Sequence, residues 1–155
     1  MIKIRKYQST DKEAVTVLSE QMLRFLRNYY CPTKAGLNHK SAIAPDLTRV
    51  VAILNQKIVG TTQYYPKNGM LRIISLSVHE EYKRQGIARA LINHVCSVAK
   101  MRNCSAIRAA TIEETGNVII FKHLGFKVIG KNIDKLCEGI NRKKVTDIEL
   151  EIKLS

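Results

Sequence analysis

Apolar and polar residues alternate at the start of this chain. Ile2 and Ile4 are separated by Lys3 and Arg5, the period of two that a half-buried strand requires. The period then changes. Val15, Leu18, Met22, Phe25, Leu26 and Tyr29 share one helical face, and Thr10-Asp11-Lys12-Glu13 before them fits a capping box, so a helix is expected from there to about Tyr30. Residues 31–48 hold Pro32 and Pro45 without a clear period and read as a loop facing the substrate. Arg49–Leu54 and Lys57–Tyr65 are β-rich runs joined by Asn55-Gln56, and Lys67-Asn68-Gly69 turns the chain into a third strand. In that strand Ile74, Leu76 and Val78 are expected on one packed face, with Ile73, Ser75 and Ser77 on the other.

From Ile87 the helical period returns through Leu91, Val95 and Val98, ending at Arg102-Asn103. Ala106–Thr111 predicts a strand. Thr115–Leu124 predicts a helix closed by Gly125, with Phe126 as the hydrophobic partner of its cap. Phe126–Ile129 and the alternating Ile148, Leu150, Ile152 and Leu154 predict two closing strands, joined by a polar connection over 131–144. The order predicts a mixed α/β (α+β) fold, helices on a largely antiparallel sheet rather than a doubly wound one.

Length and composition narrow the classes. At 155 residues the chain is expected to form one domain, 1–155, burying ~70% of its unfolded surface. Its longest apolar run, Val50–Leu54, is far below the ~18 residues of a membrane span, and Met1–Lys6 lacks the apolar region of a secretory signal. A cytoplasmic location without membrane contact is expected. Cys31, Cys96, Cys104 and Cys137 form no CxxC pair, and His39, His79, His94 and His123 form no zinc spacing, so no metal site is expected. The formal net charge of +13 favours anionic partners, but the basic residues are spread along the chain and argue against nucleic acid.

Candidate chemistry concentrates at Lys83-Arg84-Gln85-Gly86-Ile87-Ala88, a basic turn between a strand and a long helix. Such a turn aims backbone N–H groups and the positive helix end at one spot, an anion cradle. It is neither a dinucleotide GxGxxG nor a P-loop, since Gly86 stands alone and no GK[ST] follows.

The run Val78–Leu91 closely resembles the acetyl-CoA-binding motif of the GNAT superfamily of N-acetyltransferases: Gly86 and Ala88 keep its spacing, and Lys83 stands where Arg or Gln is usual. Asn117, then Phe121-Lys122-His123-Leu124-Gly125-Phe126, resembles the family's second motif of Asn, Tyr and Gly-Phe. The resemblance implies a GNAT fold and transfer of acetyl from acetyl-CoA (coenzyme A) to a primary amine of a small molecule or protein. It also admits a homodimer. By the same resemblance, the N–H groups of residues 84–88, with Lys83, Arg84, Gln85, Gly86, Ile87, Ala88 and Arg89, would hold the diphosphate. The cofactor arm would run beside Leu76, Ser77 and Val78, with the N–H of Leu76 or Val78 facing the thioester oxygen. Asn117 and Phe121 would contact the same arm. Phe121 departs from the tyrosine that serves many relatives as proton donor, because a phenyl ring has no proton to give. An amine nucleophile must lose a proton, and Glu81 and Glu114 are the first base candidates among His79, Glu80, Glu81, Glu113 and Glu114. The alternative readings are a non-catalytic acyl-CoA-binding module and a basic RNA- or ribosome-associated protein.

Overall fold

A computed structural model describes residues 1–39 and 46–155; part of the expected substrate loop, 40–45, lies outside them. Eight strands form one sheet: β1 (Lys3–Lys6), β2 (Tyr30–Pro32), β3 (Thr48–Leu54), β4 (Lys57–Lys67), β5 (Met70–Val78), β6 (Ala106–Ile112), β7 (Lys127–Gly139) and β8 (Lys144–Lys153). Their order is β1-β3-β4-β5-β6-β8-β7-β2, and every pairing is antiparallel except β5 with β6. Four helices complete the fold: α1 (Lys12–Leu26), α2 (Lys34–Asn38), α3 (Ile87–Met101) and α4 (Val118–His123). None of the described helices is long and apolar enough to cross a membrane.

Val50, Val51 and Ala52 of β3 are all fully buried, which for alternating side chains requires cover on both faces of the sheet. One cover is α3, whose Ile87, Leu91, Ile92 and Val95 join Val50, Ala52, Val59, Leu71 and Ile107 in the main core. The other is α1, which packs on β4 and β5 and buries Val15 and Leu18 outside that cluster. Close packing sets the height of α3. A Cβ built on Gly60 of β4 would lie 2.7 Å from Ile87 Cγ2 and 3.1 Å from Leu91 Cδ1. Gly60→Ala is therefore expected to cost about 1–3 kcal/mol of stability in a denaturant titration, by pushing the first turn of α3 off the sheet.

Four expectations are corrected. The first helix starts after Asp11 rather than Thr10 and has no side-chain cap: the Asp11 carboxylate reaches back to accept from Gln8 N–H at 2.8 Å across the 3₁₀ turn Ser9–Asp11 and pairs with Arg5 at 2.7 and 3.0 Å. That helix also stops at Leu26, because Tyr30 joins β2 on the free edge of β7. The connection over 131–144 is mostly strand, since β7 runs on past a bulge to Gly139 and pairs with both β8 and β2. In β5 the register skips Ile74, so Gln63 faces Ser75 while Tyr64 faces Ile73. This bulge shifts the alternation: Leu71 and Ile73 pack in the same core as Leu76 and Val78, and Ile74 is left exposed. The cap of the last helix follows the sequence. Phe126 N–H reaches Phe121 O at 3.0 Å, Gly125 takes φ 104°, and the Phe121 and Phe126 rings meet edge-on at 5.4 Å.

Candidate active site

Two parallel strands part in the middle of the sheet. β5 pairs with β6 only at Leu71–Ile107 and Arg72–Arg108; beyond the Ile74 bulge β5 follows β4, while β6 follows β8 to Ile112. Residues 73–78 of β5 thus present an unpaired strand edge to the gap, which an extended ligand can complete as an added strand. A cavity of about 530 Å³ opens at this wedge. Its walls are Ile73–Ser77 of β5, Ala109–Ile112 of β6, Asn117 and Phe121 from the α4 segment, and Ser19, Met22, Leu23 and Leu26 of α1.

β5 leads directly to the anion cradle. A single 3₁₀ turn over Glu80–Tyr82 is followed by Arg84 at φ 63° and Gly86 at φ 81°, which reverses the chain into α3. Among the described residues, no protein group accepts from the backbone N–H groups of Arg84 through Arg89. Unpaired amides at the start of a fifteen-residue helix form the donor set that a diphosphate takes, and a Cβ at Gly86 would meet nothing within 4 Å, so the approach is open. The residues present fit an extended, diphosphate-bearing ligand.

The sequence-expected residues divide by position. Leu76, Ser77, Asn117 and Phe121 line the cavity, and Val78 packs beside them against the core. Gly86, Ile87, Ala88 and Arg89 stand at the α3 start; the Ile87 side chain is core, leaving its N–H for the cradle. Arg89 donates to His123 O at 2.6 Å, tying α3 to the end of α4. Lys83 Nζ lies 5.7 Å from the Phe25 ring centre, and Arg84 and Gln85 are exposed. Neither base candidate is in the cavity wall. Glu81 is exposed on its turn, its N–H donating to His79 Nδ1 at 3.1 Å, while Glu114 Oε1 accepts Thr146 N–H at 2.8 Å.

Among the polar wall residues that escaped sequence reasoning are Tyr30, Arg49, Asp134 and Asp147. Asp134 Oδ1 is occupied, accepting from Leu136 and Cys137 N–H at 2.8 and 2.9 Å inside the β7 bulge. Asp147 accepts no hydrogen bond from the described protein. Burial, then Glu149 and Asp134, hold its carboxyl above the usual range, with Arg72 opposing; Arg72 itself is bidentate to Glu149 at 2.7 and 3.0 Å. Burial also keeps the Tyr30 phenol protonated above its ordinary range. Among the described residues, no group of three or more His, Cys, Asp or Glu could hold a metal ion.

A strand-splitting wedge fed by a helix-start anion cradle defines an acyl-CoA-dependent acyltransferase fold. The chain belongs to the acetyltransferase (GNAT) family, whose model matches residues 14–126. Members of this family use acetyl-CoA. No curated protein matches the sequence. The fold is shared with smu.2055 from Streptococcus mutans UA159 at 21% identity, over 99% of both chains, with a TM-score of 0.77. A GCN5-related N-acetyltransferase from Kribbella flavida is 19% identical over 99% of this chain and 98% of that one, with a TM-score of 0.76. A Bacillus anthracis str. Ames protein assigned as a streptothricin acetyltransferase, solved in complex with acetyl coenzyme A, is 14% identical over 99% of this chain and 100% of that one, with a TM-score of 0.69. At these identities the likeness is one of fold.

Proposed function

We propose that this chain, as one domain of residues 1–155, moves an acetyl group from acetyl-CoA to a primary amine. The observation that carries the reading is the unpaired edge of β5 running into the unpartnered amides of residues 84–89. Bound acetyl-CoA supplies a thioester carbon; its C–S bond breaks as the C–N bond to the amine forms, and coenzyme A departs as the thiol. The protein's part is to bind, orient and move a proton. The amides of residues 84–89 hold the diphosphate, with Arg84 adding charge. The β5 edge aligns the arm, and the N–H of Leu76 or Val78 faces the thioester oxygen. Asn117 offers its side-chain amide, which has no partner among the described residues, and Phe121 gives the arm an apolar wall.

An amine with a pKa of about 10 enters as an ammonium and cannot attack until it loses a proton. We place proton acceptance on Asp147, the cavity-lining carboxylate that no described protein donor engages; Glu81 and Glu114 are the comparison sites. Mass spectrometry of a primary-amine panel incubated with the protein and acetyl-CoA tests the reading. Acetylated amine with equimolar coenzyme A is expected. Coenzyme A binding without any acetylated product would reduce the chain to a binding module.

Loss of the thiolate needs no protein acid, because a thiol pKa of about 8.5 makes it a tolerable leaving group near neutrality. Phe121→Tyr tests this by adding a phenol to the cavity wall. The variant is expected to leave the pH dependence of turnover unchanged; a shifted profile would show that protonation of the leaving group limits the rate.

A further inference from the structure

Arg49 and Asp147 line the same cavity with opposite charges and no counter-ion of their own within it. Arg49 Nη1 donates to Thr61 Oγ1 at 2.9 Å, and Thr61 passes a bond to Val50 O at 2.8 Å, so the guanidinium is anchored over β4 by a neutral group. No described carboxylate pairs with it, and residues 40–45 contain no Asp or Glu. Half-burial depresses its pKa, the mark of a cation separated from water without an anion to replace it. Several of its N–H donors remain for a ligand.

The geometry points to an acceptor that is itself amphoteric: a primary amine held at Asp147, with an anionic group held at Arg49. This rests on the amine acetylation proposed above and specifies its substrate class. The sheet also sets the spacing. Arg49 lies on β3 with its guanidinium held over β4 by Thr61, and from β4 to Asp147 on β8 there are three strand steps, each about 4.8 Å and wider where β5 and β6 part. Three such steps come to about 14 Å across the sheet, far more than one carbon can bridge. An α-amino acid, whose amine and carboxylate share one carbon, cannot reach both; an ω-amino acid of about eight carbons, or a short peptide with a free C-terminus, can.

The test is a ladder of acceptors assayed with acetyl-CoA: glycine, 6-aminohexanoate and 8-aminooctanoate, each beside its carboxamide. For the wild type, kcat/KM is expected to rise along the ladder, with 8-aminooctanoate favoured at least about tenfold over its amide, the scale of one charge-assisted bidentate contact. Arg49→Gln should bring that ratio close to one and Arg49→Lys should restore part of it. Calorimetry of 8-aminooctanoate binding to the coenzyme A-loaded protein gives the same comparison without turnover. Equal use of acid and amide, preference for glycine, or a ratio unchanged in Arg49→Gln would overturn the assignment. So would weaker coenzyme A uptake in Arg49→Gln, which would give the charge to the donor. Acetylation of the amides alone sinks this inference and leaves amine acetylation standing; no product from any amine sinks both.

Discussion

Gly86→Glu is expected to weaken coenzyme A uptake by about 100-fold or more in calorimetry, equivalent to about 2.8 kcal/mol. Two effects combine. Gly86 sits at φ 81°, where a side chain costs ~1–2 kcal/mol, so the turn that aims the amides is strained or rearranged. The new carboxylate also lies among the N–H donors of residues 84–89 and competes with the diphosphate for them. Folding should suffer only the backbone cost, because a Cβ at Gly86 has no neighbour within 4 Å. The thermal midpoint should therefore fall by only a few degrees. Gly86→Ala separates the two effects: it keeps the strain without the charge, and should weaken uptake by about tenfold. Uptake by Gly86→Glu equal to wild type would remove the cradle, and with it the proposed donor site.

The cradle could be found in the sequence because its parts are contiguous. Glycine, basic residues and a helical period beginning at Ile87 mark a strand-turn-helix within twenty residues, and local chemistry decides its shape. The cavity wall could not be found that way. Asp147 alternates with Ile148 and reads as one more solvated acid beside Glu149 and Glu151; only the parting of β5 from β6, two strands away in the sheet, makes its face a wall. Arg49 has the same ambiguity on β3. The bulge at Ile74 left a trace, two adjacent isoleucines in an otherwise alternating strand, but alternation alone assigns them opposite faces. The extension of β7 was hidden for a different reason. Its residues 131–138 are polar because they form an exposed ribbon, held by backbone pairing to β2 and β8 rather than by an apolar stripe.

Asp147→Asn is expected to separate activity from stability. Turnover should fall by about 10²–10⁴-fold, the usual contribution of a positioned proton acceptor, with coenzyme A binding unchanged. The pH profile carries the diagnosis. In the wild type the rate should rise with pH as Asp147 ionises, at a pKa that burial, then Glu149 and Asp134, hold above the ordinary aspartate range. The asparagine variant should lack that limb. If Glu81→Gln or Glu114→Gln removes it instead, proton acceptance belongs there. Stability should move the opposite way. Well below the ordinary aspartate value of 3.8, Asp147 is protonated in folded and unfolded chains alike and costs nothing. As pH rises through the raised folded value, the unfolded chain releases the proton more readily, and the folded state loses stability. Asparagine never ionises, so the variant should be the more stable protein near neutrality, and this advantage should vanish in acid. A carboxylate kept at a cost to the fold, and needed for turnover, is a group held for its chemistry; a variant that is inactive and less stable at neutral pH would show that Asp147 supports the β6–β8 pairing instead.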